Sequence, residues 1–253
     1  MRYFPIKIME ILAVLPMRGG SKGIPKKSIY PVLGRPLAAY AIREALRSKR
    51  VSRFVAYTDD ADMAAVAREY GFEVPVERPS EVSSDTSTDV ETFQRLLRQL
   101  KEAEGYEPDI VVHLRATALR RAEDIDAAVD LLIADPNADC VRGVCEPDLT
   151  PFKMYWYKNE GDVYIDYFLR DAFPSIFQRF PEPSSIGRQN FPAVWQHSAQ
   201  IDVTRARNIV ERNSMSGKNI LPLFVDKSLD IDIDRLEDFG YLEYLIKKLG
   251  KDF

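Results

Sequence analysis

Apolar runs of strand length alternate with segments of helical period along most of this chain. Ile8 to Leu15 reads as a buried first strand, Leu37 to Lys49 sets Leu37, Tyr40, Ala41 and Leu46 on one helical face, and Phe54 to Thr58 returns as a strand. A helix over about Ala61 to Tyr70 has Asp59 and Asp60 as candidate caps and Gly71 at its end. A short Val74–Val76 strand then leads into the polar loop Arg78 to Ser87, a helix from about Asp89 to Ala103, and a buried strand Ile110 to Leu114. Ala122-Glu123-Asp124-Ile125 opens the next helix, with first-turn acids that complement its dipole, and Asp139 to Cys145 is the next strand. The alternation predicts an α/β fold, a mainly parallel sheet with helices on both faces. In such sheets ligands bind beyond the carboxyl ends of the strands, which is where the loop Arg115 to Arg121 falls.

After Pro147 the pattern changes. Residues 150 to 196 carry clustered aromatics, among them Phe152, Tyr155, Trp156, Tyr167, Phe177 and Phe180, with repeated prolines and no βα alternation. They read as an irregular subdomain whose rings pack a small core of their own, although aromatic enrichment also suits an interface. The main pattern resumes with a strand Val194 to Val203, a helix from about Thr204, a strand Ile220 to Val225 and a closing helix Leu236 to Leu249. The expected organisation is one α/β domain, 1–149 with 197–253, interrupted by the 150–196 arm.

With 253 residues, 45% of them hydrophobic and 29% charged, the chain can bury a sizeable core. A net charge of −4 argues against a general nucleic-acid binder, which needs a basic face. No window approaches the ~20 apolar residues of a membrane span, since Lys7, Glu10 and Arg18 interrupt or bound the best candidate. That segment also lacks the apolar core and cleavage site of a secretory signal. Cys140 and Cys145, the only cysteines, lie an odd number of positions apart on an expected strand, hence on opposite faces, so a mutual disulfide is not expected. A cytoplasmic, reduced protein is the expectation.

The chemistry concentrates where the first strand empties into Arg18-Gly19-Gly20-Ser21-Lys22-Gly23-Ile24-Pro25-Lys26-Lys27-Ser28. Glycines let backbone N–H groups approach a phosphate, and Arg18, Lys22, Lys26 and Lys27 offset its charge. The spacing is neither a Walker A loop nor a dinucleotide fingerprint. A second signal is Leu229-Asp230-Ile231-Asp232-Ile233-Asp234, in which acids alternate with branched aliphatics. As a strand it would put all its carboxylates on one face, about 7 Å apart, where they repel unless a cation joins them. Mg²⁺ suits such a site, because it takes one or two carboxylates, keeps waters and completes its shell from phosphate oxygens. A solvated edge strand with a charged face is the alternative.

The glycine loop, followed by Lys27, Pro31, Gly34 and Pro36-Leu37, resembles the signature of the acylneuraminate cytidylyltransferases, enzymes that make CMP-activated sialic and related nonulosonic acids. The resemblance continues through Arg78-Pro79, Asp85-Thr86, Ala122 to Asp126, Pro151-Phe152-Lys153, Arg188-Gln189, Asp232-Ile233-Asp234 and Glu237-Asp238-Phe239, nearly the whole chain. It implies a Rossmann-like fold of the nucleotide-diphospho-sugar transferase kind, a homodimer, and the 150–196 arm reaching a second subunit and closing the sugar pocket. The implied reaction joins the anomeric hydroxyl of a 2-keto sugar acid to the α-phosphate of CTP, with pyrophosphate leaving.

On that resemblance Arg18, Lys22 and Lys27 are the catalytic cations that stabilise pyrophosphate. Arg18, Gly19, Gly20, Ser21, Lys27, Arg78, Asp85, Thr86 and Thr88 are expected to bind the nucleotide. Arg115, Thr117, Lys153, Arg188, Gln189 and Gln196 are expected at the sugar, where cations at 153 and 188 suit its carboxylate. The metal falls to Asp232 and Asp234, with Asp230 the substitute if the register slips by two. Two departures are visible. Arg115-Ala116-Thr117-Ala118-Leu119-Arg120 lacks the prolines of the family loop and is one residue shorter, and Gln196-His197-Ser198-Ala199-Gln200-Ile201-Asp202 replaces an Arg-Pro-Asn-Gly stretch with a later tyrosine. They point to the nonulosonate class and away from N-acetylneuraminate itself. A nucleotidyltransferase for another sugar or sugar phosphate, or a non-catalytic nucleotide binder, are the competing readings.

Overall fold

The computed structural model describes residues 9–20, 23–231 and 233–250. Its chain divides into two compact units, Met1–Val144 with Ser198–Phe253, and Cys145–His197.

The larger unit opens with β1 (Ile11–Pro16), then β2 (Pro31–Val32), β3 (Arg35–Pro36), α1 (Leu37–Leu46), β4 (Arg53–Tyr57), α2 (Ala61–Glu69), α3 (Asp89–Glu104), β5 (Ile110–His113), α4 (Ala122–Ala134) and β6 (Cys140–Cys145). The smaller unit contributes β7 (Tyr155–Trp156), β8 (Asp166–Tyr167) and α5 (Pro174–Arg179). The chain then continues through β9 (Gln196–Arg205), α6 (Ala206–Arg212), β10 (Ile220–Phe224) and α7 (Asp238–Leu249). The six-stranded sheet has the order β10-β6-β9-β5-β1-β4. β1 runs parallel to β4 and β5, β10 runs parallel to β6, and β9 is antiparallel to β5.

Side-chain alternation along β1 explains the layering. Ile11, Ala13 and Leu15 enter a core with Ala38 and Ile42 of α1, Met63 of α2 and Ile125 and Val129 of α4. Leu12 and Val14 enter a separate core with Phe93, Leu96, Leu97 and Leu100 of α3 and Ile209 of α6. A strand apolar on both faces therefore needs helices on both faces. α3 is well specified locally: Thr88 and Glu91 form a reciprocal capping box, and Gly105 takes the left-handed conformation (φ 65°) just past its end. A further core gathers Ile24 of the glycine loop, Leu119, Leu229 and Ile233 of the acidic segment, and Phe239, Leu242 and Leu245 with α7. That packing brings the basic loop and the acidic segment together.

Two predicted strands are not formed. Val74–Val76 is not a strand; Glu73 makes one isolated bridge to Val55, and Pro75 has no N–H to continue a ladder. The segment 229–234 is not a strand either. Lys227–Leu229 is a 3₁₀ turn whose start is capped by Asp226, and the following described residues lie outside the sheet, which ends at β10. Its alternation still reports burial, since Leu229 and Ile233 are both fully buried, but they are anchored by α7 instead of by a neighbouring strand.

In the smaller unit Phe152, Tyr167, Phe177 and Phe191 form a core of their own. Phe152 stacks on Phe191 at 5.3 Å and Tyr155 on Tyr167 at 4.5 Å, and the latter pair joins the short β7–β8 ladder. This unit begins at Cys145 and ends at His197, against the expected 150–196. Cys140 and Cys145 are buried and form no disulfide, and burial pushes the Cys140 thiol up to about 11. Among the described residues no helix is long and apolar enough to cross a membrane.

Candidate active site

At the carboxyl ends of β1 and β5, Pro16, Met17, Arg18, Ser28, Arg78, Asp85, Asp89, Thr92, His113, Arg115 and Thr117 line a cleft of about 300 Å³, with Ser84, Ser87 and Ala116. This is the place where parallel α/β sheets present ligands. Larger hollows exist elsewhere, such as one of about 370 Å³ between α3 and α6, but they lie away from the glycine loop.

Each wall has its own support. Gly19 N–H donates to Asp59 at 3.0 Å, and a Cβ there would come within 3.1 Å of the Asp60 carboxylate, so glycine lets the loop pass against the start of α2. Arg18 pairs with Asp85 at 3.0 Å and donates to the Ser84 carbonyl at 3.1 Å, joining the glycine loop to the loop before α3. Lys26, a candidate counter-charge, sits in left-handed backbone (φ 52°) and reaches Asp60 at 3.1 Å and Asp62 at 2.5 Å. Its cation is thus committed to α2. The hydrogen bond that Lys26 donates to the Asp62 carboxylate leads the effects that raise the lysine pKa.

Arg78 is buried, and burial lowers its pKa. Its Nε donates to the Val82 carbonyl at 2.9 Å, and its Nη2 donates to the same carbonyl and to Thr92 Oγ1. It therefore organises the 78–92 loop while lining the cleft. Thr88, expected at the nucleotide, uses its hydroxyl to cap α3 and does not line the cleft; Thr86 lies 3.1 Å from Ser84 Oγ and does not line it either. Asp89 and Thr92 were not among the site residues read from the sequence, whereas His113, read as structural or substrate-contacting, does line this wall. Asp89 at the first turn of α3 and the strand-end position of His113 were the available signals.

His113 is 3% exposed, packs edge-on against Phe93 at 4.7 Å, and has no hydrogen-bond partner for Nδ1 among the described residues. Burial, then the charge of Arg115, holds its pKa well below the ordinary 6.5, so the ring is neutral. Arg115 pairs with the buried carboxylate of Asp202 and lies 3.6 Å from Asp89.

Beside the glycine loop, Lys27 Nζ donates to the Ile233 carbonyl and lies 3.5 Å from Asp234, whose carboxylate is 72% exposed. Gly23 keeps the segments close, since a Cβ there would lie 3.2 Å from the Asp234 carbonyl. Asp230 is turned to Ser198 Oγ at 2.7 Å. Ser21, Lys22 and Asp232 lie outside the described residues. Among the described residues no group of three or more His, Cys, Asp or Glu is arranged to hold a metal. Asp234 alone among the described candidates offers the chemistry Mg²⁺ takes: a hard oxygen donor, open to water, beside the basic loop.

The remaining candidates belong to the smaller unit. Arg188 and Gln189 line a hollow of about 410 Å³ with Glu146, Thr150 and Phe191, and Arg188 lies 3.4 Å from Glu146. Gln196 lines another hollow with Leu149, Met154 and Trp195, and Lys153 ends the turn Pro151–Lys153.

Comparison with known proteins bears on the fold and the family. The fold is shared with the structure of CMP:2-keto-3-deoxy-manno-octonic acid synthetase complexed with CTP (TM-score 0.68, 14% identity, covering 95% of this chain and 99% of that one). It is a Rossmann-like nucleotidyltransferase fold. The family described as Cytidylyltransferase matches residues 12–214, and the chain belongs to that family. It is 28% identical over 248 residues to post-translational flagellin modification protein B of Campylobacter coli, covering 96% of this chain and 99% of the relative. It is also 28% identical over 240 residues to CMP-N,N'-diacetyllegionaminic acid synthase of Legionella pneumophila, covering 94% and 97%.

Proposed function

We propose that this cytidylyltransferase transfers CMP from CTP to the anomeric hydroxyl of a nonulosonic, sialic-acid-like 2-keto sugar acid. The observation that carries this reading is the cationic cleft of Arg18, Arg78 and Arg115 at the sheet's carboxyl edge, adjoined by the Lys27–Asp234 pair. A relative of nearly equal length named for CMP-legionaminic acid synthesis supports the acceptor class.

The sugar hydroxyl oxygen forms a bond to the α-phosphorus in line as the bond to the bridging oxygen breaks; the hydroxyl proton passes to solvent and pyrophosphate departs. Such a step depends on positioning and charge neutralisation more than on covalent work by the protein. Arg18, Lys22 and Lys27 take the charge that builds on pyrophosphate. Backbone groups of Gly19, Gly20 and Ser21, with Arg78 and Asp85, hold the nucleotide, and Thr86, off the cleft, acts only through its contact with Ser84. The hydroxyl of Thr88 acts indirectly, by fixing α3. Asp232 and Asp234 would hold Mg²⁺, which when bound neutralises phosphate oxygens and makes the attacking hydroxyl more acidic. Lys153, Arg188, Gln189 and Gln196 of the smaller unit select the sugar, whose carboxylate suits the two cations; Arg115 and Thr117, expected at the sugar, line the nucleotide cleft of the larger unit instead. We place the enzyme in the cytoplasm as a homodimer, on the family resemblance and the exposed aromatics Tyr155, Trp156, Tyr157 and Phe168 of the smaller unit.

A pyrophosphate-release assay tests the proposal, with each common nucleoside triphosphate, Mg²⁺, and sialic, legionaminic, pseudaminic and octulosonic acids as acceptors. The expected result is release with CTP and an acidic nine-carbon acceptor. Release with a sugar phosphate instead, or CTP binding with no release from any acceptor, would contradict it.

A further inference from the structure

Asp202 lies on β9 opposite His113 of β5 and is 1% exposed. One of its carboxylate oxygens receives Arg115 Nη1, and the other receives Arg142 Nη1. A carboxylate buried this deeply needs cations and hydrogen bonds to replace lost water, and its partners are in turn held by it. The two arginines differ in what else they do. Arg142, on β6, commits Nη2 to the Met215 carbonyl at 2.8 Å and to Ser216 Oγ at 2.9 Å, and it does not line the cleft.

Arg115 does line the cleft, in company with Arg18, Arg78 and Thr117. It is fixed at both ends: its guanidinium by Asp202, and its carbonyl by Arg120 Nη2 at 2.8 Å, which also reaches the Ala118 carbonyl at 3.2 Å. Arg120 is itself fully buried, and burial pulls its pKa down to about 9. A long cation held this way has lost most of its rotamer freedom before any ligand arrives, so binding need not supply that ordering.

We propose that Asp202 is a positioning residue of the cleft: it aims Arg115 so that the guanidinium's remaining N–H groups meet an oxyanion of the bound nucleotide. Arg142 supplies the second charge that allows the carboxylate to stay buried. The inference rests on the nucleotide reading of the cleft given above. Asp202 itself touches no ligand; its effect passes through Arg115.

A double-mutant cycle on CTP affinity, measured by calorimetry on the full chain with Asp202→Asn, Arg115→Gln and the double variant, tests this. Each single substitution is expected to weaken CTP binding about tenfold, and Asp202→Asn is expected to cost almost nothing further once Arg115 is Gln. Thermal melting is followed in parallel, because a merely structural role lowers melting without producing that non-additivity. Should Asp202→Asn fail to fold, Asp202→Glu takes its place in the cycle, keeping the charge that Arg142 needs while displacing the carboxylate. Equal losses of CTP affinity in both backgrounds, or none in either, would overturn the inference while leaving the transfer reaction standing. A wild-type protein that binds no CTP would overturn both.

Discussion

The larger unit holds a six-stranded sheet between helical layers, whereas Cys145–His197 contains a two-stranded ladder of two-residue strands and one helix of six residues. In the first, period and alternation specify the structure: β1 sends side chains into two cores, each covered by helices of matching period. In the second, ring contacts do the same work, with Phe152 against Phe173 and Phe191, and Tyr167 against Tyr155 and Phe177. Every residue lining the cationic cleft belongs to the larger unit, while Lys153, Arg188, Gln189 and Gln196 belong to the smaller. On the proposed function, nucleotide chemistry falls to a scaffold built from long elements and acceptor choice to one built from loops and rings. Loops on a scaffold can change their side chains with little cost to the fold, which suits a family whose members differ in the sugar they accept.

The largest effect that separates the units is in their cores. Phe152→Ala removes a ring at the centre of the smaller core and is expected to cost about 3–5 kcal/mol there. CTP affinity, measured by calorimetry, should stay within about twofold of wild type, whereas Leu12→Ala in the larger unit should lower stability and CTP affinity together. A large CTP loss in Phe152→Ala would erase the division. Next comes the acidic segment. Asp234→Asn should reduce pyrophosphate release about 100-fold or more without moving the melting temperature, because the group is exposed and its loss is felt only with substrate. Lys27→Ala should lower kcat/KM for CTP about tenfold by removing one phosphate counter-charge, and steady-state kinetics with varied CTP reads it.

The smallest effect is a pH dependence confined to the larger unit. His113 has a pKa held well below 6.5 by burial and by Arg115. Between that depressed value and 6.5 the unfolded chain binds a proton that the native state refuses, so the contribution to stability is complete above pH 6.5 and is lost as the pH falls through that window. The slope from one such group is at most ~1.4 kcal/mol per pH unit. Urea midpoints at about pH 7.5 and about pH 5 should show a smaller difference for His113→Gln than for wild type. An unchanged difference would mean that the imidazole already takes its proton in the native state.

What was legible in the sequence follows the same division. The βα alternation showed because strands such as β1 are apolar on both faces and the helices on one, so period identified them; the two-residue strands β2 and β3 carry no such period. Arg18, Arg78, Asp85, Arg115 and Thr117 were read from motif positions, and they share one cleft. The alternation in Leu229 to Asp234 misled because period reports burial and not hydrogen bonding: Leu229 and Ile233 drop into the core beside α7 without a strand to pair with. Thr88 was read from its motif position in the 85–88 turn, but its hydroxyl is used by the capping box of α3. Asp202 could not be read as a partner of Arg115 and Arg142, since residues so far apart in the chain meet only through the order of β5, β9 and β6 in the sheet.

The most direct measurement is a crystal structure of the full chain with CTP. The nucleotide is expected in the cleft lined by Arg18, Arg78 and Arg115, with its phosphates against the glycine loop and Lys27, and Asp234 facing them. CTP bound elsewhere with the glycine loop untouched, or phosphates pointing away from Lys27 and Asp234, would contradict it.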